Sequence, residues 1–278
     1  MNPAPSNKRQ FGFTLIELLV ALGIFLLITG AAFTLLGSSQ QRYQTESQVL
    51  TSFQEARLGL DQMVRDINDA GFPPSTFFSS RFPLQSTSFP FGWSPGYTIP
   101  SPCQIGTGGG GTCTTPGDFD IIIETNPNPN PLDPSNQVEW IRYVLQGTTL
   151  MRGVAPKALS HDPYVDTSLP GVLVPFVQNV VNNGCPPQIP QCQTAYPLIL
   201  PGGAPVPIFN YLCDNPPVPQ SPPPPTTLCS LAGVNNSPAN IRDVAITLIV
   251  AAPSPDATTG AARLVQLSGR GRRVNPNH

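Results

Sequence analysis

The chain has 278 residues, a formal charge of −2 and only 11% charged residues, which excludes an electrostatic basis for nucleic-acid binding. Its length fits one large domain or two small ones. Proline divides it. Of 36 prolines, two stand at positions 3 and 5 and the remaining 34 occur from Pro73 onward. A proline breaks a helix interior, so the proline-free window before Phe72 is a candidate long helix and the rest cannot be mainly helical.

The first element is apolar. No charged residue occurs from Leu18 to Gln41, and Glu17 is the one charge between Phe13 and Leu36. About 24 helical residues span roughly 36 Å, enough for a bilayer core of about 30 Å. The run is too long for a typical signal-peptide core and lacks a convincing small-x-small site after it. Lys8 and Arg9 fit a cytoplasmic N-terminus. A plain anchor leaves Glu17 unexplained, because a carboxylate within the bilayer costs about 2.5–3.5 kcal/mol on insertion scales. A cut between Gly12 and Phe13 would supply a cation: Phe13 would carry a free amine, and Glu17 would lie one helical turn away as the fifth residue.

The run Lys8-Arg9-Gln10-Phe11-Gly12-Phe13-Thr14-Leu15-Ile16-Glu17-Leu18-Leu19-Val20-Ala21-Leu22 resembles the class III signal of type IV prepilins and type II secretion pseudopilins. The resemblance implies that a prepilin peptidase cuts after Gly12 and methylates the amine of Phe13, and that Glu17 guides docking of the helix in a growing filament. Gly23, Gly30 and Gly37 recur every seven residues and are candidates for close helix packing.

The second half of the helix is amphipathic. Val49, Phe53, Ala56, Leu60, Met63, Ile67 and Ala70 form one stripe, with Arg57, Asp61, Arg65, Asp66 and Asp69 expected on other faces. Gly71 suits the helix end and Pro73-Pro74 stop it. The segment from Ala56 to Phe72 is similar to the stem end of PilW/PulJ-like minor pilins. These features predict a leader over 1–12, a membrane or filament-core helix over 13–37, an amphipathic half over 38–72 and a β-rich domain over 73–278.

In that domain the strand candidates are 118–125, 138–145, 149–154, 172–181, 207–212, 243–250 and 262–267, with a hairpin turn at Gln146-Gly147. In the second of these, Trp140 excepted, Glu139 and Arg142 interleave with Ile141, Tyr143 and Leu145. Their spacing suits a mainly antiparallel sheet on the helix, an α+β architecture, which is also the pilin-like arrangement that the resemblance implies. Long Pro/Gly-rich loops separate the strands. In the first loop, Phe77, Phe78, Phe82, Phe89, Phe91, Trp93 and Tyr97 are expected to cover the sheet rather than form an exposed contact surface.

Six cysteines, Cys103, Cys113, Cys185, Cys192, Cys213 and Cys229, all follow Pro73 and suggest disulfides in an oxidising compartment. Fifteen pairings exist; pairing neighbours as 103–113, 185–192 and 213–229 would close short loops. No zinc pattern is present, since CxxC is absent and His161 and His278 are far apart. The stretch 106–112 lacks the Gly-Lys-Ser/Thr ending of a phosphate loop. Asp118, Asp120 and Glu124 could offer oxygens to calcium, but alternating acids in a strand read as a solvated face. Arg270, Arg272 and Arg273 form a small basic tail that could touch anionic lipid or an acidic neighbour, with a solvated terminus the favoured reading.

No nucleophile–base set, metal or cofactor is indicated, so the expectation is an assembly protein rather than an enzyme. The resemblance implies a minor pilin of a type IV pilus, in a tip or initiation complex. The alternatives are a PulJ-like type II secretion pseudopilin and a pilus-tip adhesin. Expected partners are prepilin peptidase, other major and minor pilins or pseudopilins, and the inner membrane; no nucleic acid is expected. The chain would be single-pass in the inner membrane with a periplasmic C-terminal domain, then part of a pilus or pseudopilus.

Overall fold

The structure, a computed structural model, describes residues 12–74, 83–87, 89–93, 103–105, 112–126, 128–130, 133, 136–157, 172–185, 196–214, 226–231, 233–256 and 260–273. Among the described residues one α-helix, α1 (Leu15–Asn68), precedes nine strands. The chain divides into two compact units, Met1–Ser47 and Gln48–His278.

The first unit is the apolar part of α1. Its large side chains are exposed, from Phe13 and Leu15 to Leu35 and Leu36. The helix is long and apolar enough to cross a membrane, and its apolar window buries nothing within the chain. An apolar surface of this extent needs lipid or other protein around it.

The second unit contains the rest of α1 and two antiparallel sheets. β1 (Phe91–Gly92), β2 (Asp120–Thr125), β3 (Glu139–Gln146), β4 (Thr149–Pro156) and β5 (Leu173–Val177) follow one another as a five-stranded meander. Gly147 has φ +59° at the first position of the two-residue β3–β4 loop, a conformation that favours glycine. β6 (Phe209–Asp214), β7 (Thr226–Leu228), β8 (Ile241–Pro255) and β9 (Ala262–Arg272) form a second sheet in the order β7-β6-β8-β9. An isolated bridge, Val180 to Val250, and the side chain of Asn182, which donates to Thr247 O at 2.8 Å, link the chain after β5 to β8. The single sheet expected from sequence is thus two, because the meander ends at β5 and the chain begins a new sheet at β6.

Both sheets turn one face to the helix. Ala56, Leu60, Met63, Ile67 and Ala70 form one core with Ile121, Ile123, Ile141 and Tyr143 of the first sheet and Phe209, Tyr211, Val244, Ile246 and Leu248 of the second. The opposite face of the first sheet is closed too: Trp140 to Tyr143 are buried in succession, as are Ile122 and Glu124. Phe91 and Trp93 are inside and Phe89 packs on Trp93 with ring centroids 4.6 Å apart, so these aromatics are cover and core, as expected. Phe77, Phe78, Phe82 and Tyr97 lie outside the described residues.

Contact between helix and strands depends on missing side chains. A Cβ on Gly59 of α1 would lie 2.5 Å from Val177 Cγ2 of β5; one on Gly271 of β9 would lie 2.4 Å from Ile67 Cγ2, and one on Gly269 would lie 2.9 Å from Val64 Cγ2. β9 runs on to Arg272, beyond Leu267 where the strand expected from sequence ends, and its glycines admit the helix there. Gly271→Ala should destabilise the domain by about 1–3 kcal/mol through overpacking, whereas Gly23→Ala, with open space around its Cβ, should not. Thermal unfolding of the two variants in detergent, followed by near-UV circular dichroism, checks the contrast.

Candidate functional site

The start of α1 is built from Thr14 and Glu17. Thr14 is the last residue before the helix, and its backbone N–H and hydroxyl both donate to Glu17 Oε2 at 2.9 Å. The Glu17 N–H donates back to Thr14 Oγ1 at 3.3 Å. This is a capping box, in which the residues at N-cap and N3 satisfy each other's orphan backbone donors. The carboxylate also lies at the positive end of the helix dipole. The Thr14-x-x-Glu17 spacing before an apolar run was a sequence signal for it. Glu17 therefore has partners in its own chain before any neighbour approaches, and an amine from another subunit would join or replace them. Gly12 and Phe13 precede the helix in irregular, exposed backbone. Gly23, Gly30 and Gly37 have open space where a Cβ would stand.

Polar groups along the apolar unit are satisfied locally. The hydroxyl of Thr29 donates to Phe25 O at 2.7 Å, that of Thr34 to Gly30 O at 2.7 Å, and that of Ser38 to Leu35 O at 2.9 Å. A helix in hydrocarbon has no water to serve these donors, and back-bonding meets the requirement.

At the other end, the helix exit is fixed to the first sheet. Gly71 has φ +80° and its N–H donates to Glu124 O at 2.9 Å; the Asn126 N–H donates to Phe72 O at 2.7 Å, and the Thr125 hydroxyl to Asp69 O at 3.0 Å. Asp66, expected on a polar face, is buried. Its Oδ2 accepts from the Tyr143 hydroxyl at 2.5 Å and from Arg152 Nη2 at 3.2 Å, while Oδ1 accepts from Gln62 at 2.7 Å. Burial and the adjacent Asp66 push the Tyr143 phenol far above its usual range. Nothing in the helical pattern separates Asp66 from its solvated neighbours. Its burial follows from Tyr143 and Arg152 on the facing strands, and those pairings are long-range.

The acids of β2 are likewise not a solvated face. Asp120 pairs with Arg142 at 2.6 Å, and Glu124 is fully buried beside Lys157 at 3.5 Å. Burial raises Asp120 above its ordinary pKa, with Arg142 opposing. Asp118 is exposed. The expected basic tail also proves to be structure: Arg270 and Arg272 stand in β9 facing Asp243, and Arg273 is buried. The Cys103–Cys113 and Cys213–Cys229 disulfides are formed. Cys185 is disulfide-bonded, and Cys192 lies outside the described residues. So do residues 106–111 and both histidines.

Residues 7–33 match the family model for the prokaryotic N-terminal methylation motif. No curated protein and no solved structure matches the chain. The motif, together with the apolar helix that follows it, makes this a membrane-anchored, type IV pilin-like or pseudopilin protein of the kind processed by prepilin peptidase.

Asp66→Asn should cost the domain about 3 kcal/mol, because it leaves a partly buried guanidinium without its charge partner. Denaturant unfolding in detergent would register this as a lower midpoint with an unchanged slope.

Proposed function

We propose that the chain is a minor pilin: its leader is cut between Gly12 and Phe13, Phe13 is N-methylated, and the mature protein joins a type IV pilus, in its tip or initiation complex. The observation that carries this reading is the methylation motif over residues 7–33, which spans Gly12, Phe13 and Glu17 together. The two-sheet domain with its long loops supports minor rather than major status, since bulk of this kind hinders dense packing along a shaft. The stem end from Ala56 to Phe72 supports the PilW/PulJ-like subtype.

In this role the chain is a substrate and a building block rather than a catalyst. Consistent with that, acidic groups inside its domain are committed to ion pairs: Asp66 with Arg152, Asp120 with Arg142, Glu124 with Lys157 and Asp214 with Arg242. Lys8 and Arg9 support a cytoplasmic leader and hence a periplasmic domain. Glu17 exchanges part of its contact with Thr14 for the Phe13 amine of a neighbouring subunit as the helix leaves lipid.

Replacing Gly12 by a bulky residue should leave full-length precursor in the membrane; mass spectrometry of the protein would then retain residues 1–12, and normal processing of that variant contradicts the cut. Glu17→Ala should be inserted and cleaved yet absent from sheared filaments, as read by immunoblot. Assembly at the wild-type level would remove the role given to Glu17. Deletion of the chain should abolish surface pili while leaving type II secretion intact; the reverse outcome would make it a pseudopilin.

A further inference from the structure

We propose that the outer face of β9 carries a docking surface for an acidic segment of a partner polypeptide, with Arg270 and Arg272 as the two residues that grip its carboxylates. These residues are two apart in an extended strand, so they share the sheet face turned away from the helix and stand about 7 Å apart. Asp243 of β8 lies opposite Arg272 in register and is almost fully buried. Arg270 Nη2 contacts Asp243 Oδ2 and lies 3.5 Å from Thr226 Oγ1. Arg272 Nε is 3.7 Å from Asp243 Oδ1, an ion pair too long for a hydrogen bond. One buried carboxylate thus orients two guanidiniums whose side chains are 56% and 61% exposed.

The surroundings add positive charge. Arg242 pairs with Asp214 at 2.7 Å, and the backbone N–H of buried Arg273 donates to Arg242 O at 3.2 Å. Burial, with Arg242 contributing, pulls Arg273 down to about 10 even though Asp214 and Asp243 oppose the shift. Asp243 is thus shared by Arg270 and Arg272, while Asp214 pairs with Arg242. A carboxylate arriving from outside meets two exposed guanidiniums that already divide a single carboxylate between them.

Position and size select the partner. The Arg272 N–H donates to Asn68 Oδ1 at 2.8 Å, which fixes this face at the C-terminal end of α1. Twenty helical residues, about 30 Å, separate Asn68 from Gln48, where the chain enters the domain. Polyanion binding grows with the number of charges neutralised, and two exposed cations make a poor track for such a polymer. They match two carboxylates spaced i, i+2 on an extended segment. That the segment belongs to another pilus subunit rests on the proposed assembly role; the preference for carboxylates does not.

The full-length chain in detergent micelles, titrated into labelled poly-L-glutamate and followed by fluorescence anisotropy, tests the surface. Binding should weaken with salt and fall at least tenfold in the Arg270→Gln/Arg272→Gln variant. It should be unchanged in Arg57→Gln/Arg65→Gln. If the double glutamine variant does not fold, Arg272→Gln alone replaces it, and at least a threefold loss is expected. Undiminished binding in either variant overturns the proposal. So does a preference for heparin, or for vesicles of anionic phospholipid, over poly-L-glutamate. A normal result here combined with failure of the Gly12 and Glu17 tests would keep the carboxylate surface and remove the pilus subunit as its partner.

Discussion

The close approach of α1 to the strands beside it governs the C-terminal domain. Gly59, Gly269 and Gly271 give up side chains so that Val177, Val64, Leu60 and Ile67 can occupy the space. Protein interiors are packed as densely as organic crystals, so a single added methyl at such a contact must displace something. With the helix pressed that closely, its apolar stripe serves as the inner wall of both sheets at once. The five-stranded meander and the β7-β6-β8-β9 sheet also meet directly, through the Val180–Val250 bridge, the Phe209 N–H donating to Asp118 O at 3.1 Å and the Tyr211 hydroxyl donating to Gly117 O at 2.7 Å. The helix completes the core that they share.

Charge is the second organising feature. Few ionisable residues are present, and many are inside. Lys157 and Glu124 have no exposed side-chain surface, and Asp214, Asp243 and Arg273 are close to none. Buried ion pairs are weak sources of net stability, because desolvation offsets much of the attraction. They are nevertheless demanding about geometry, since a misplaced partner leaves a bare charge in a low-dielectric interior. Lys157 also donates to Ser86 O at 3.0 Å, so the Glu124 pair joins β2, the end of β4 and the segment before β1. The sheet whose inner face receives the helix is therefore held on its outer face by polar contacts that accept only one arrangement.

Local patterns were legible in the amino-acid sequence, and long-range ones were not. The apolar run, the amphipathic stripe and Gly71 at the helix end each follow from residues close together, and all are found. Most strands were placed to within a few residues, and the hairpin at Gly147 follows from a local turn rule. Three readings failed for a common reason. Asp66 was placed on a face away from the apolar stripe, Asp120 and Glu124 on a wet strand face, and Arg270 to Arg273 in a tail. In each case the partner that determines burial lies far along the chain: Tyr143 and Arg152, Arg142 and Lys157, and Asp214 and Asp243. At the N-terminus the motif located Glu17 but not its bond to Thr14.

The hydroxyls of Thr29, Thr34 and Ser38 carry a consequence for transfer between environments. Each is bonded to a carbonyl of its own helix. Moving this helix from lipid into a bed of other helices would break none of those bonds and require none to form. The exchange then reduces to swapping acyl chains for side chains along an apolar cylinder, a trade with little bias in either direction because both surroundings are hydrocarbon-like. On these terms the apolar run has similar free energies in the two surroundings. Glu17 is the one group along the apolar run whose formal charge sets the two surroundings apart.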